Sequence, residues 1–396
     1  MNIHDFDDIR PYMPEELSDV FASLLSDAEF QNVVVMIGSM LHGIDPSASP
    51  SASQQIIDEF SKMMYSSCDN VEFQKNLIYP LLTHILQTAS DGLGSNYGSL
   101  DNENGKSFTF ISNHRDIVLD SALLDYSLIN NGYNTVEIAI GDNLLIRPWI
   151  KDLVRVNKSF IVQRSLNMRE MLLASAKLSK YMHFAINEKH EHLWIAQREG
   201  RAKDGNDRTQ ESVLKMMAMG GKLQDLNIVP LSITYEYDPC DYLKAEEMQH
   251  KRDIEGFKKS PADDLENMKT GIFGKKGRIF YKTGRCINEF LDSLPSDMPK
   301  TEYFKTVAQH IDEEIYKGYE PLAVHYVALD KHLGGHQYSD HYNDSDEKRF
   351  TDYVEGQLSK VKIENPDMDF LRSKIYEMYA NPVKNQLKVE NIASLK

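Results

Sequence analysis

Between residues 107 and 281, short runs of β-forming residues alternate with stretches whose apolar positions recur at helical spacing. This rhythm limits the possible folds more than any other feature of the chain. The β-runs lie at 107–111, 135–140, 159–163, 193–197, 227–235 and 278–281. Helical patterns fill the gaps, at 121–128, through Trp149 and Val154, from a cap at Ser165 to about 187, and at 209–219. Strands alternating with helices predict an α/β domain with a mixed, mostly parallel central sheet flanked by helices.

The chain before this region reads differently. Residues 1 to about 43 are predicted helical, with Pro14 in a first turn and Leu17, Val20, Phe21, Leu24 and Leu25 on one face. The Pro- and Ser-rich stretch 46–53 reads as a linker, and 54–87 resumes as helix. A polar, glycine-containing stretch at 91–105 reads as a loop and a domain boundary. The predicted organisation is therefore an N-terminal helical domain, 1–104, and an α/β domain, 105–396. The latter carries a polar, mostly helical insertion at about 241–276 and a helical C-terminal part.

Sixty acidic against 44 basic residues give a net charge of -16, which argues against a nucleic-acid partner and requires any anionic ligand to meet a local basic patch. Cys68, Cys240 and Cys286 are far apart and odd in number, so reduced thiols in a cytoplasmic protein are expected. The acidic start has no signal pattern, and no apolar run approaches the ~20 residues of a membrane span. Peripheral contact with the inner face of a membrane stays open.

Three predicted strands end in groups suited to chemistry. His114 follows the first, with Asp116 and Asp120 close behind; an imidazole oriented by a carboxylate is what a general base needs. Arg164 ends another strand. Glu199-Gly200-Arg201 ends a third, with Lys203 and Arg208 after it. Arginine forks suit phosphate, and Gly200 would let backbone approach closely. Strand tips of one parallel sheet open on the same side, so these groups are expected to converge. A histidine base beside a cationic pocket, with no Ser or Cys nucleophile marked out, points to direct attack by a hydroxyl on an activated acyl group.

At this point the chain resembles the glycerolipid acyltransferase superfamily, which includes glycerol-3-phosphate and lysophosphatidate acyltransferases. Asn113-His114-Arg115 with its aspartates resembles the first block. Ser159-Phe160-Ile161-Val162-Gln163-Arg164, after Gly141-Asp142-Asn143, resembles the second. Glu199-Gly200-Arg201-Ala202-Lys203 resembles the third, and Ile228-Val229-Pro230-Leu231 the fourth. The order matches, over about 106–235. One departure stands out: the family's Asp falls five residues after its His, where this chain has Leu119. Asp120 serves if the helix start shifts by one residue; Asp116 is the alternative, bonding the ring within the turn.

The resemblance implies that His114 deprotonates an acceptor hydroxyl while the aspartate orients the ring. The alkoxide attacks an acyl thioester, either acyl-CoA or acyl carrier protein. Arg164, Arg201 and Lys203 hold the phosphate of a glycerol-3-phosphate acceptor, with Glu199, Gly200, Arg208 and Pro230 in the substrate-binding blocks. No metal, cofactor or acyl-enzyme is required. The alternatives are a lysophosphatidate or amino-acid-type lipid acceptor, and a non-catalytic lipid- or acyl-carrier-binding module. The basic cluster Lys251-Arg252, Lys258-Lys259 and Lys275-Lys276-Gly277-Arg278 is a candidate dock for carrier protein, coenzyme A phosphates or anionic lipid.

Overall fold

The computed structural model describes residues 2–43, 50–100, 105–164 and 167–394. The fold is α/β: seven strands in mixed, mostly parallel sheet, with helices between and after them. In chain order the strands are β1 (Leu93–Asn96), β2 (Thr109–Ser112), β3 (Val136–Gly141), β4 (Ser159–Val162), β5 (His192–Ala196), β6 (Ile228–Tyr235) and β7 (Ile279–Thr283). Among the described residues no single helix is long and apolar enough to cross a membrane.

The chain divides into two compact units. The first comprises Met1–Thr88, Ser121–Trp194 and Met219–Gly221. In it β3 pairs in parallel with β4 on one side and β5 on the other, with Ile138 opposite both Ser159 and Trp194. Its apolar cluster joins Phe21, Leu24, Phe30, Ile56, Met64, Phe73 and Val156. The helices Leu17–Ser26, Ala28–His42 and Pro50–Tyr65 bury the stripe that their 3.6-residue periodicity draws. Pro14 starts a short 3₁₀ turn ahead of the first of these helices. The expected Ser165 cap and residues 46–49 of the expected linker lie outside the described residues; the other half of that stretch, 50–53, is corrected to helix, because Pro50 opens the helix that runs to Tyr65. The Met168–Asn187 helix is instead capped by Asn167, whose side chain accepts from the amides of Arg169 and Glu170.

The second unit comprises Ala89–Asp120, Ile195–Ala218 and Lys222–Lys396. Here the order is β1-β7-β6-β2; β6 runs parallel to β2 and antiparallel to β7, and β7 parallel to β1. The 241–276 insertion folds as two helices, Asp241–Asp253 and Pro261–Phe273. A second apolar cluster, with Val324, Phe350, Leu371 and Ile375 at its heart, ties three C-terminal helices together.

β1 corrects the reading of 91–105 as loop throughout. Its sequence, Leu93-Gly94-Ser95-Asn96, has almost no β-propensity, so pairing with β7 and not composition makes it a strand. Gly94 is required there, because a Cβ would meet the Phe280 ring at 2.9 Å. The boundary expected at 104 lies among residues 101–104, which are not described.

Candidate active site

β2 is buried along its whole length, Thr109-Phe110-Ile111-Ser112, and pairs with β6 from Thr109–Ile228 to Ser112–Leu231. The backbone ladder ends there, and Asn113 prolongs it with its side chain. Its amide Nδ2 donates to the Ile233 carbonyl and its Oδ1 accepts from the Ile233 amide, both at 2.8 Å. The next residue, His114, therefore emerges at a fixed height past the strand.

The turn from His114 to the Leu119–Asn130 helix is folded around one oxygen. Asp120 Oδ2 accepts from the amides of Arg115 at 2.7 Å and Asp116 at 3.1 Å, and lies 2.8 Å from His114 Nδ1. Asp120 is 0% exposed and the imidazole 14%. Tyr281 donates to the Asp120 carbonyl at 2.9 Å and fixes the backbone from β7. With Nδ1–H held by the carboxylate, Nε2 is the ring atom set to take a proton. The helix starts at Leu119, and Asp120, the sixth residue after the histidine, is the carboxylate on the ring.

Asp116 does not bond the ring. Its Oδ1 caps the helix start, accepting from Val118 at 2.9 Å and Leu119 at 2.8 Å. Burial, then the neighbouring Asp120 charge, push its carboxyl up, and Arg201 pulls against them. Arg115 turns inward to Asp207 at 3.6 Å. Burial keeps the Asp207 carboxyl up despite that partner, and neither of its oxygens has a hydrogen bond.

β5 leads into the Glu199-Gly200-Arg201 turn. Gly200 sits in the left-handed region at φ +67°, with nothing near the position of a Cβ. Backbone conformation, and not close approach, is what this glycine supplies. Glu199, Gly200, Arg201 and Lys203 line a cavity of about 490 Å³, together with Arg198, Asp204, Glu247, Lys251, Lys374 and Glu377. Arg201 is buried and donates to Asn267 Oδ1 at 3.2 Å, while its Nη1 has no hydrogen-bond partner among the described residues. Burial, then the Arg201 charge, bring the Lys203 ammonium down to about 7. Three lysines crowd Glu247: Lys203 and Lys259 at 3.1 Å and Lys251 at 2.8 Å. Burial alone would raise the Glu247 carboxyl; the lysines outweigh it and hold it down at about 2.

The remaining expected residues lie elsewhere. His114 is not among the cavity's lining residues. Arg208 is exposed and does not line it either. Pro230 is buried inside β6 opposite Ile111, and its carbonyl accepts from Gly284, one residue past the end of β7. The N–H that proline lacks thus falls where β7 has already ended, which explains how an interior strand tolerates it. Arg164 belongs to the first unit. Its amide donates to the Asp142 carboxylate at 3.1 Å, and its guanidinium lies 3.1 Å from where a Cβ on Gly141 would be. The Gly141-Asp142 block therefore serves to seat the Arg164 strand end.

The basic cluster of the insertion is largely matched internally. Arg252 pairs with Asp253 and Asp367, Arg278 with Glu236, and the buried Lys276 ammonium donates to the carbonyls of Ile272 and Gly274. Several site residues gave no sequence signal. Asn267, Lys374 and Glu377 come from helices far along the chain, and only the folded structure brings Asn267 to Arg201 and the other two to the cavity.

No protein-family model matches this chain, and no curated protein matches it.

Proposed function

We propose that the protein is an acyltransferase of the glycerolipid type, moving a fatty acyl group from an acyl thioester to a hydroxyl of glycerol-3-phosphate. The observation that carries the reading is the His114–Asp120 pair, a histidine at a strand end with a buried carboxylate on Nδ1. His114 Nε2 takes the proton of the acceptor hydroxyl, and Asp120 stabilises the imidazolium that results. The new alkoxide attacks the thioester carbonyl, the C–S bond breaks, and the thiolate leaves with the proton that the imidazolium returns. The cationic cavity around Arg201 and Lys203 supports a phosphorylated acceptor, since Arg201 keeps one guanidinium nitrogen without a hydrogen-bond partner among the described residues. The second unit supplies the base and these cations; the part that Arg164 plays toward the phosphate is carried by the sequence resemblance.

The test is release of free thiol from acyl-CoA and from acyl carrier protein across a panel of acceptors. Release that depends on glycerol-3-phosphate and is lost in a folded His114→Ala variant supports the reading. Dependence on lysophosphatidate alone moves the acceptor, and transfer to no acceptor points to a binding module. Full turnover in His114→Ala removes the base.

A further inference from the structure

The two helices of the insertion, Asp241–Asp253 and Pro261–Phe273, carry none of the residues expected to do chemistry, yet they pack on several of those residues and their neighbours in the second unit. Glu247 binds Lys203, Asn267 binds Arg201, and Gly271 lets the Asp116 carboxylate pack where its own Cβ would be, 2.0 Å from Oδ2. The deepest contact is that of Lys244. Its side chain is 0% exposed, its ammonium donates to the Arg115 carbonyl at 2.9 Å, and it pairs with Asp238.

The Arg115 peptide is part of the turn that holds the base. Its N–H, with that of Asp116, goes to Asp120 Oδ2, and its C=O goes to Lys244. The turn is thus clamped between a carboxylate on one side and an ammonium on the other. Burying an ammonium is costly, and an apolar residue would fill the same volume without that cost. Asp238 is fixed in turn: its amide donates to the Tyr379 hydroxyl at 2.8 Å and its Oδ1 accepts from Cys240 at 3.0 Å. Burial alone would raise the Asp238 carboxyl, but Lys244 and Arg115 outweigh it and keep it ionised. Tyr379 then donates to Asp241, so the chain of bonds runs from the C-terminal helix to the turn of His114.

We propose that Lys244 is a positioning residue for the His114–Asp120 pair, acting through the Arg115 carbonyl. Its kinetic consequence rests on the acyl-transfer reading; its structural consequence does not.

Lys244→Met alone would strand the Asp238 charge in the interior and destabilise the chain for that reason only, so the comparison uses two other variants. Asp238→Asn leaves Lys244 to shed its charge while its amine still donates to the Arg115 carbonyl, whereas Asp238→Asn with Lys244→Met removes that donor and leaves no unpaired charge. Both are checked for folding by circular dichroism. The first readout needs no substrate: ¹⁵N-histidine NMR of the imidazole, assigned by its loss in His114→Gln. Asp238→Asn is expected to keep the Nδ1–H tautomer of the wild type, and the double variant to lose that preference. The second readout is acyl transfer, where the double variant should lose at least 10-fold in kcat against Asp238→Asn, with both KM values within about twofold. Identical His114 spectra in the two folded variants overturn the proposal. A wild type inactive on every acceptor overturns the acyl-transfer reading, while the spectra still decide the role of Lys244.

Discussion

Replacing Asp120 by Asn tests the site at the oxygen on which it is built. Asp120 Oδ2 takes three hydrogen bonds, while Oδ1 is buried with none. The Asn carbonyl must therefore occupy the Oδ2 position, because the reverse orientation sets an NH₂ against two backbone N–H groups and the ring. In that orientation the turn survives and the ring keeps an acceptor. What is lost is the charge. A carboxylate and an imidazolium in contact are worth about 4 kcal/mol at an effective dielectric of about 20. Screening at the partly exposed ring lowers this to about 3 kcal/mol, so kcat should fall roughly 100- to 1,000-fold. The buried NH₂ left without a partner costs stability of about 1–3 kcal/mol. Asp116→Asn is the control. Asn caps a helix as well as Asp does, and Asp116 makes no bond to the ring, so kcat should stay within about threefold. Steady-state thiol release and urea denaturation of both variants give the answer. An Asp120→Asn enzyme with kcat near the wild type, or equal losses in the two variants, would refute the assignment of Asp120 as the partner of the base.

Three further outcomes follow from the same coordinates. Asp125 is buried, accepts from the Val136 amide and Gln74, and has its carboxyl pushed up to about 7, burial being the main cause. The folded state therefore holds a proton that the unfolded chain releases near pH 4, so wild-type stability on this account falls as pH rises from about 4 to 7 and stays low above it. Asp125→Asn removes that slope, and denaturation at pH 5 and pH 8 should show the variant gaining about 2.5 kcal/mol on the wild type between them; parallel curves would count against a protonated Asp125. Arg201→Ala should raise the KM for the phosphorylated acceptor about 10-fold or more and leave the KM for the thioester donor near its wild-type value, and equal effects would deny Arg201 a phosphate role. Gly271→Ala places a methyl group 2.0 Å from Asp116 Oδ2, and overpacking of this kind should cost about 1–3 kcal/mol in chemical denaturation; an unchanged midpoint would mean that the helix moves freely there.

Most of the sheet was legible because its strands are apolar or β-branched where they are buried, as in Phe108 to Ile111 or Ile228 to Tyr235. β1 was not, since pairing with β7 alone makes Gly94-Ser95-Asn96 a strand. His114 could be singled out by its position after a strand. The choice between Asp116 and Asp120 could not be settled by counting, because it depends on where the helix begins, and a one-residue shift there exchanges a cap for a ring partner. The cavity was legible only where it follows β5. Lys374 and Glu377 reach it from a helix whose own pattern records amphipathicity and nothing about a ligand. Lys244 was the least visible of all: a lysine in a polar helical stretch reads as solvated surface, and only the fold shows it fully buried.

The double amide bond between Asn113 and Ile233 has a consequence for how this chain can vary. It acts as a register pin: the His114 imidazole sits where β6 says it sits, 120 residues away in sequence. An extra residue between Pro230 and Ile233 would slide the pin along its neighbour and carry the imidazole off its carboxylate without touching either side chain. The same insertion after Tyr235 would leave the pin untouched but would displace Asp238, so it would reach the imidazole by a different route, through Lys244 and the Arg115 carbonyl.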